Sequence, residues 1–278
     1  MMKRARVTLV LVLVLAFLSA CAHTTETSVQ TETAAAPSLQ RILQKGELVV
    51  GTAASMPPLN MTTKEGEIIG LEADLANHMA RAMGVKLRLE AMEFSKLLSA
   101  LEQGRVDMVI SGMTITPTRN LKVAFIGPYF ISGKAFLTKL ATIAAVEETT
   151  EINSPSVRLT ALRGSTSQYF VEEVLAKVQF VPAKDYDEAV QMVIQDKVHA
   201  FVADYPICVV SVFRYPNQGL LSVITPLTYE PLGIAVPADD PHLINWVENF
   251  LNTVEGSGEM EELKDRWFGD GSWLFRLP

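Results

Sequence analysis

Ser111, Gly112, Thr114, Thr116 and Arg119 crowd into the run SGMTITPTRN at 111–120, directly after a strand-like apolar run at 106–110. Small hydroxyls, a glycine that lets backbone approach closely and one guanidinium, gathered in a turn, bring N–H donors and a positive charge onto one small anion. That is the chemistry of holding a carboxylate. Arginine suits it where lysine does not, because its planar fork donates two parallel hydrogen bonds. Composition equally permits a polar loop broken by Pro117, with Arg119 in water. A second anion-friendly feature lies at 164–166, where Gly-Ser-Thr ends a strand-like run and opens a helix with free N–H groups and a positive dipole end.

Residues of this kind need a frame, and the apolar periodicity supplies one. Strands are predicted at 48–52, 86–91 and 106–111, alternating with helices near 72–83 and 94–103. This is βαβ logic, so a mainly parallel sheet with helices on both faces is expected. Sites in such sheets lie beyond the carboxyl ends of the strands, where 53–59, Phe94 and 111–119 fall. The pattern restarts with strands at 134–139, 158–162, 179–182 and 200–203 and helices near 168–177 and 186–195. A further strand at 232–236 precedes helices at 241–255 and 259–267. Met79 and Met83 sit at helical spacing and read as core.

The start of the chain reads as an address. Lys3, Arg4 and Arg6 precede the apolar run 7–17, and Leu-Ser-Ala-Cys comes next at 18–21. A basic start, an apolar stretch short of a membrane span and small residues before a break describe an export signal over 1–20. The ending looks like a lipobox, with cleavage before Cys21 and lipid on that cysteine; an uncleaved anchor is the alternative. Residues 22–38 are Thr, Glu, Ala and Ser with little apolar surface, so 21–38 is expected to be a lipidated cysteine and flexible tether. A coil of that length reaches roughly 20 to 25 Å. Extracytoplasmic residence on a membrane is the expected localisation.

Removing the three basic leader residues from 24 leaves 21 against 31 acidic residues, a net charge of −10 that argues against nucleic acid. Cys208 is the second of two cysteines and reads as core, leaving no intramolecular disulfide once Cys21 is acylated. Four histidines and scattered carboxylates show no metal-ligand spacing, and neither a phosphate-binding loop nor a nucleophile elbow is present. No cofactor or metal is expected.

From about residue 39 to 268 the chain resembles the amino-acid-binding proteins of ABC importers, the family 3 solute-binding proteins. The likeness is carried by GELVVGTAASMPPL at 46–59, GLEADLANHMARAMG at 70–84, SGMTITPTRN at 111–120, the Gly-Ser-Thr turn and FVADY at 201–205, in that order. The resemblance implies a two-lobed periplasmic-binding-protein type II fold, each lobe a mainly parallel sheet flanked by helices, joined by a two-strand hinge. Lobe 1 would comprise 39–131 plus 230–278 and lobe 2 would comprise 132–229, with crossovers near 131–133 and 228–231. It implies a monomer that closes over an amino acid and delivers it to a membrane permease.

The resemblance also assigns roles. Arg119 would grip the α-carboxylate, Ser111 and Thr114 would add donors, and Gly112 would permit close approach. Ser165, Thr166 and neighbouring N–H groups would complete the shell, and Asp204 would accept from the α-ammonium unless it is merely a capping carboxylate at a strand end. Phe94 is either core or a stacking face. Met56-Pro57-Pro58-Leu59 replaces the aromatics usual after the first strand, and Ala53 stands where members that take basic amino acids tend to carry an acid, which points to a neutral ligand unless Glu72 faces the cleft. An anionic ligand would need Lys134 or Arg163 to reach it. Two alternatives remain: a dehydratase of the cyclohexadienyl or arogenate type, whose proton-donating glutamate is replaced here by Gln168, and a ligand-sensing lipoprotein.

Overall fold

The computed structural model describes residues 37–278 apart from 147–148, 224–226 and 270. The leader, Cys21 and the tether through residue 36 lie outside the described residues. A helix, Ser38–Lys45, begins at the last residue assigned to the tether, burying Leu39 and Ile42 and stopping at Gly46 with φ +68°. Asp240 ties it down by accepting from the Leu39 N–H at 2.9 Å.

The strands are β1 Glu47–Thr52, β2 Ser55–Met56, β3 Asn60–Thr62, β4 Ile68–Ile69, β5 Lys86–Ala91, β6 Met108–Val109, β7 Ala124–Ser132, β8 Lys134–Thr138, β9 Arg158–Leu162, β10 Gln179–Ala183, β11 Ala200–Asp204, β12 Leu221–Ser222 and β13 Glu230–Val236. They form two five-stranded sheets, ordered β5-β1-β6-β13-β7 and β10-β9-β11-β8-β12, and a small antiparallel sheet β2-β3-β4. In the first sheet β1 runs parallel to β5 and β6, while β13 is antiparallel to β6 and β7. In the second, β9 runs parallel to β10 and β11, and β8 is antiparallel to β11 and β12. Both sheets are therefore mixed, because the strands that cross between them must enter one sheet against its direction.

Near-continuous apolar sequence marks the central strands: β1 is buried at five of its six residues and β11 at all five. The helix Leu71–Met83 buries Leu71, Leu75 and Met79 at four-residue spacing, so Met79 is core as expected. The expected strand 106–111 is laddered only at Met108–Val109. Asp107 explains the interruption, since its Oδ2 accepts from the Val49 N–H at 2.9 Å and its Oδ1 meets Arg41. Cys208 lies buried on the helix Tyr205–Arg214, where burial pushes its thiol pKa up.

Only Gly133 separates β7 of the first sheet from β8 of the second. The return strand β13 pairs with β7 from Glu230↔Ser132 onward, so the two crossings are hydrogen-bonded side by side. The lobes meet where the segments after β1 and β6 face the segment after β9 and Tyr186.

Candidate functional site

Thr116 caps the four-residue helix Pro117–Asn120, its hydroxyl accepting from the Arg119 N–H at 3.2 Å. This aims Arg119 across the cleft and not into water. Its Nη1 donates to the Thr114 carbonyl at 2.8 Å and its Nη2 to the Gly164 carbonyl at 3.0 Å. One fork thus spans loops from both sheets. The guanidinium carbon lies 5.7 Å from the Phe94 ring centroid, a cation–π contact. Phe94 is buried and supports the arginine at the same time. The seam is tight here: a Cβ on Gly164 would stand 3.1 Å from the Ser95 Cβ.

Opposite Arg119, three charged groups share one buried cluster. Lys134 Nζ, 1% exposed, lies 3.1 Å from Asp204 Oδ1 and 3.2 Å from Glu230 Oε2. The same Glu230 oxygen accepts from the Thr114 hydroxyl at 2.8 Å and the Thr166 hydroxyl at 3.0 Å, and these two hydroxyls are 3.2 Å apart. Thr228 completes the shell on Glu230 Oε1 at 3.1 Å. Burial works against the charge on Glu230, but Lys134 and the hydroxyls outweigh it and hold its pKa below the usual range. For Asp204 burial wins over Lys134, and its pKa is raised. Asp204 begins the helix Tyr205–Arg214 without a side-chain capping bond, so its carboxylate faces the cluster and does not serve as a cap.

Glu72 lies behind the anion-binding turn. Its Oε1 accepts from the Gly112 N–H at 2.7 Å and from the Tyr129 hydroxyl, and its Oε2 accepts from the Asn60 amide at 2.7 Å. Asn60 in turn accepts from the Ser55 and Met56 N–H groups. Burial raises the Glu72 pKa despite these donors. Two expectations change as a result. The Gly112 N–H is spent on Glu72 instead of facing the cleft, and the close approach at Gly112, φ +58°, is made by Met56, whose Sδ would lie 2.2 Å from an added Cβ. Ser111 likewise turns inward, its Oγ accepting from the Ala53 N–H at 2.8 Å.

Met56 reaches across the seam, its sulfur accepting from the Tyr186 hydroxyl at 3.7 Å. Leu59 is fully buried and Ala53 half-buried. Ser165 caps the helix Thr166–Val174, accepting from the Gln168 N–H at 3.1 Å while donating to the Leu162 carbonyl, so its hydroxyl is occupied. Arg163 is exposed. The structure therefore brings Arg119, Thr114, Thr166, Phe94, Met56 and Asp204 together and turns Ser111, Gly112 and Ser165 to internal bonds. Sequence reasoning missed Glu230, whose only signal was its place at the start of the returning strand. Among the described residues no cluster of three or more His, Cys, Asp or Glu could hold a metal, and no helix is long and apolar enough to cross a membrane.

The model of the bacterial extracellular solute-binding proteins, family 3, matches residues 48–270. The chain belongs to this family. An arginine-binding periplasmic protein of Mannheimia haemolytica is 30% identical over 220 residues, covering 77% of this chain and 88% of the relative. A solved binding component of an ABC transporter from Wolinella succinogenes, complexed with lysine, is 36% identical with a TM-score of 0.78, covering 83% of this chain and 99% of that one. A cyclohexadienyl dehydratase of Pseudomonas aeruginosa is 24% identical over 229 residues, covering 82% of this chain and 85% of the enzyme.

The two sheets are the two lobes of this family's type II fold. Within the family 3 frame, Gln168 turns away from the cluster: its Oε1 accepts from the Gly164 N–H at 2.8 Å and its Nε2 donates to Glu172 at 2.9 Å. An apolar groove of about 510 Å³, lined by Phe130, Tyr205, Phe213, Trp267, Phe268 and Trp273 among others, has no charged residue in its wall. Its wall offers no charge to a ligand, unlike the surroundings of Arg119 and Lys134.

Proposed function

We propose that this protein captures a neutral α-amino acid between its lobes, 39–131 plus 230–278 and 132–229, and delivers it to an ABC transporter permease. The observation that carries the reading is the charge arrangement of the cleft. Arg119 supplies one positive charge, and Asp204 and Glu230 sharing Lys134 supply one net negative charge. That pair is the complement of a zwitterion. Arg119 takes the carboxylate, exchanging its carbonyl partners for it, and Asp204 takes the ammonium. Contacts to both lobes favour the closed form, because only differential contacts shift such an equilibrium.

The side-chain wall of Ala53, Met56, Leu59 and Phe94 carries no charge. Glu72 gives a cationic side chain no partner, since three donors already satisfy it behind Gly112. Catalysis is disfavoured because Gln168 has no acidic proton to donate. Titration of the purified soluble domain with the protein amino acids by thermal shift and calorimetry tests the reading. Stabilisation by neutral amino acids is expected, and turnover of prephenate or arogenate would replace it with the enzyme. The signal at 1–20 and the lipobox support residence outside the cytoplasm, with Cys21 as the anchor. Cys21→Ser is expected to release the protein from the detergent phase, and full retention at mature length would refute the anchor.

A further inference from the structure

We propose that Lys134 fixes the net charge of the ligand, confining the cleft to amino acids with uncharged side chains. The inference rests on the amino-acid reading above and names the residue that decides the ligand class within it. Two buried carboxylates, Asp204 and Glu230, stand together at the head of the cleft with one lysine between them. Buried charges demand local partners, because each left unpaired loses its hydration without compensation. Without Lys134 the pair would carry two negative charges against the single ammonium of a ligand. A second cation would then be needed, and a lysine or arginine ligand brings one. Lys134 supplies that cation from the chain itself.

The geometry makes this substitution specific. Lys134 opens β8 and Asp204 closes β11, and the two residues are register partners in that antiparallel pair. Glu230 opens β13 and reaches the same ammonium from the hinge side. Thr228 binds the backbone N–H of Lys134 at 3.0 Å and the Glu230 carboxylate at 3.1 Å, fixing both against one another. The lysine is 1% exposed and pinned between the two carboxylates, so with the lobes together it occupies the place a ligand cation would take. With Lys134 in place, Arg119, Lys134, Asp204 and Glu230 sum to zero, and only a ligand of zero net charge keeps the closed cleft neutral. Glu72 stands outside this sum, because its carboxylate lies behind Gly112 and is taken up by the Gly112 N–H, the Tyr129 hydroxyl and the Asn60 amide.

The test is a charge-swap series by calorimetry at pH 8 on the folded soluble domain. Wild type is first screened against the twenty protein amino acids; if none binds, the amino-acid reading fails and this inference falls with it. Neutral amino acids are expected to bind at least about tenfold more tightly than lysine, arginine, aspartate or glutamate, the scale of one charged hydrogen bond. Tightest binding of a charged amino acid by wild type would overturn the inference while leaving the amino-acid reading intact. Lys134→Gln is then expected to move the lysine-to-glutamine affinity ratio toward lysine by about tenfold or more. Glu230→Gln is expected to move the glutamate-to-glutamine ratio toward glutamate, in the opposite sense. A purely structural role for Lys134 would lower all affinities together, so unchanged ratios overturn the assignment. If Lys134→Gln does not fold, the wild-type preference and the Glu230→Gln ratio decide.

Discussion

Glu72 and Glu230 are both buried glutamates beside the same turn, and they behave in opposite ways. Glu72 accepts from three neutral donors, Gly112, Asn60 and Tyr129, and burial still raises its pKa. Glu230 accepts from hydroxyls too, but Lys134 stands 3.2 Å away and its pKa falls below the usual range. At Glu72 three neutral donors do not offset desolvation, and at fully buried Asp204 even Lys134 does not, whereas at the less deeply buried Glu230 the same lysine together with the threonine hydroxyls does. The first glutamate therefore braces the loops that wall the cleft, and the second keeps a charge available within it.

The largest expected effect lies on the charged side. Arg119→Ala removes the counterpart of the cluster, and truncating one partner of a desolvated charge pair costs about 3 to 5 kcal/mol. A loss on the order of a hundredfold to several thousandfold in Kd is expected by calorimetry. Near-normal affinity would detach Arg119 from the site.

Next, Asp204→Asn keeps shape but removes the ammonium's acceptor charge. The preference of wild type for an amino acid over its 2-oxo analogue is expected to shrink by about ten- to a hundredfold. An unchanged preference would make Asp204 structural.

On the Glu72 side, Tyr129→Phe strips one donor from a buried acceptor, and chemical denaturation should show about 1 to 3 kcal/mol of lost stability. Ligand selectivity should stay the same. A change in selectivity would mean that Glu72 belongs to the cleft chemistry after all.

The smallest effect is in pH dependence. Because the Glu72 pKa is raised on folding, its contribution to stability is full below the ordinary carboxylate value and fades as pH rises through the folded value. Glu230, with its pKa depressed, contributes above the ordinary value and loses that contribution as pH falls through the folded one. Glu72→Gln should flatten the first trend and Glu230→Gln the second in urea midpoints between about pH 3 and 8. Identical pH profiles for the two variants would dissolve the contrast.

What was legible in the sequence was local. Apolar runs marked β1, β9 and β11, because a strand buried on both faces must be apolar along its length, while the edge strand β5 showed itself by alternation of apolar and charged residues. The turn at 111–120 announced Arg119 by its chemistry, and the resemblance placed Asp204 opposite. The partners that complete the cluster were not legible. Glu230 meets Thr114 and Thr166 across 116 and 64 residues, a juxtaposition made by the return of β13. The direction of Glu72 depended on the small sheet β2-β3-β4, whose strands of two or three residues leave no periodic trace. Ser111 was read as a ligand donor and Gly112 as a point of close approach to the ligand because their own partners, Ala53 and Glu72, lie far away in sequence.

Gly164, φ +76°, faces Ser95 across the seam with room for nothing more than a hydrogen atom, since even a Cβ would come within 3.2 Å of two Ser95 carbons. This makes the residue a gauge of the shut jaw. One methyl group there would act as a doorstop, holding the lobes a few tenths of an ångström apart and stretching the 3.0 Å bond from Arg119 to the Gly164 carbonyl. The width of the seam at this point is set by one backbone atom.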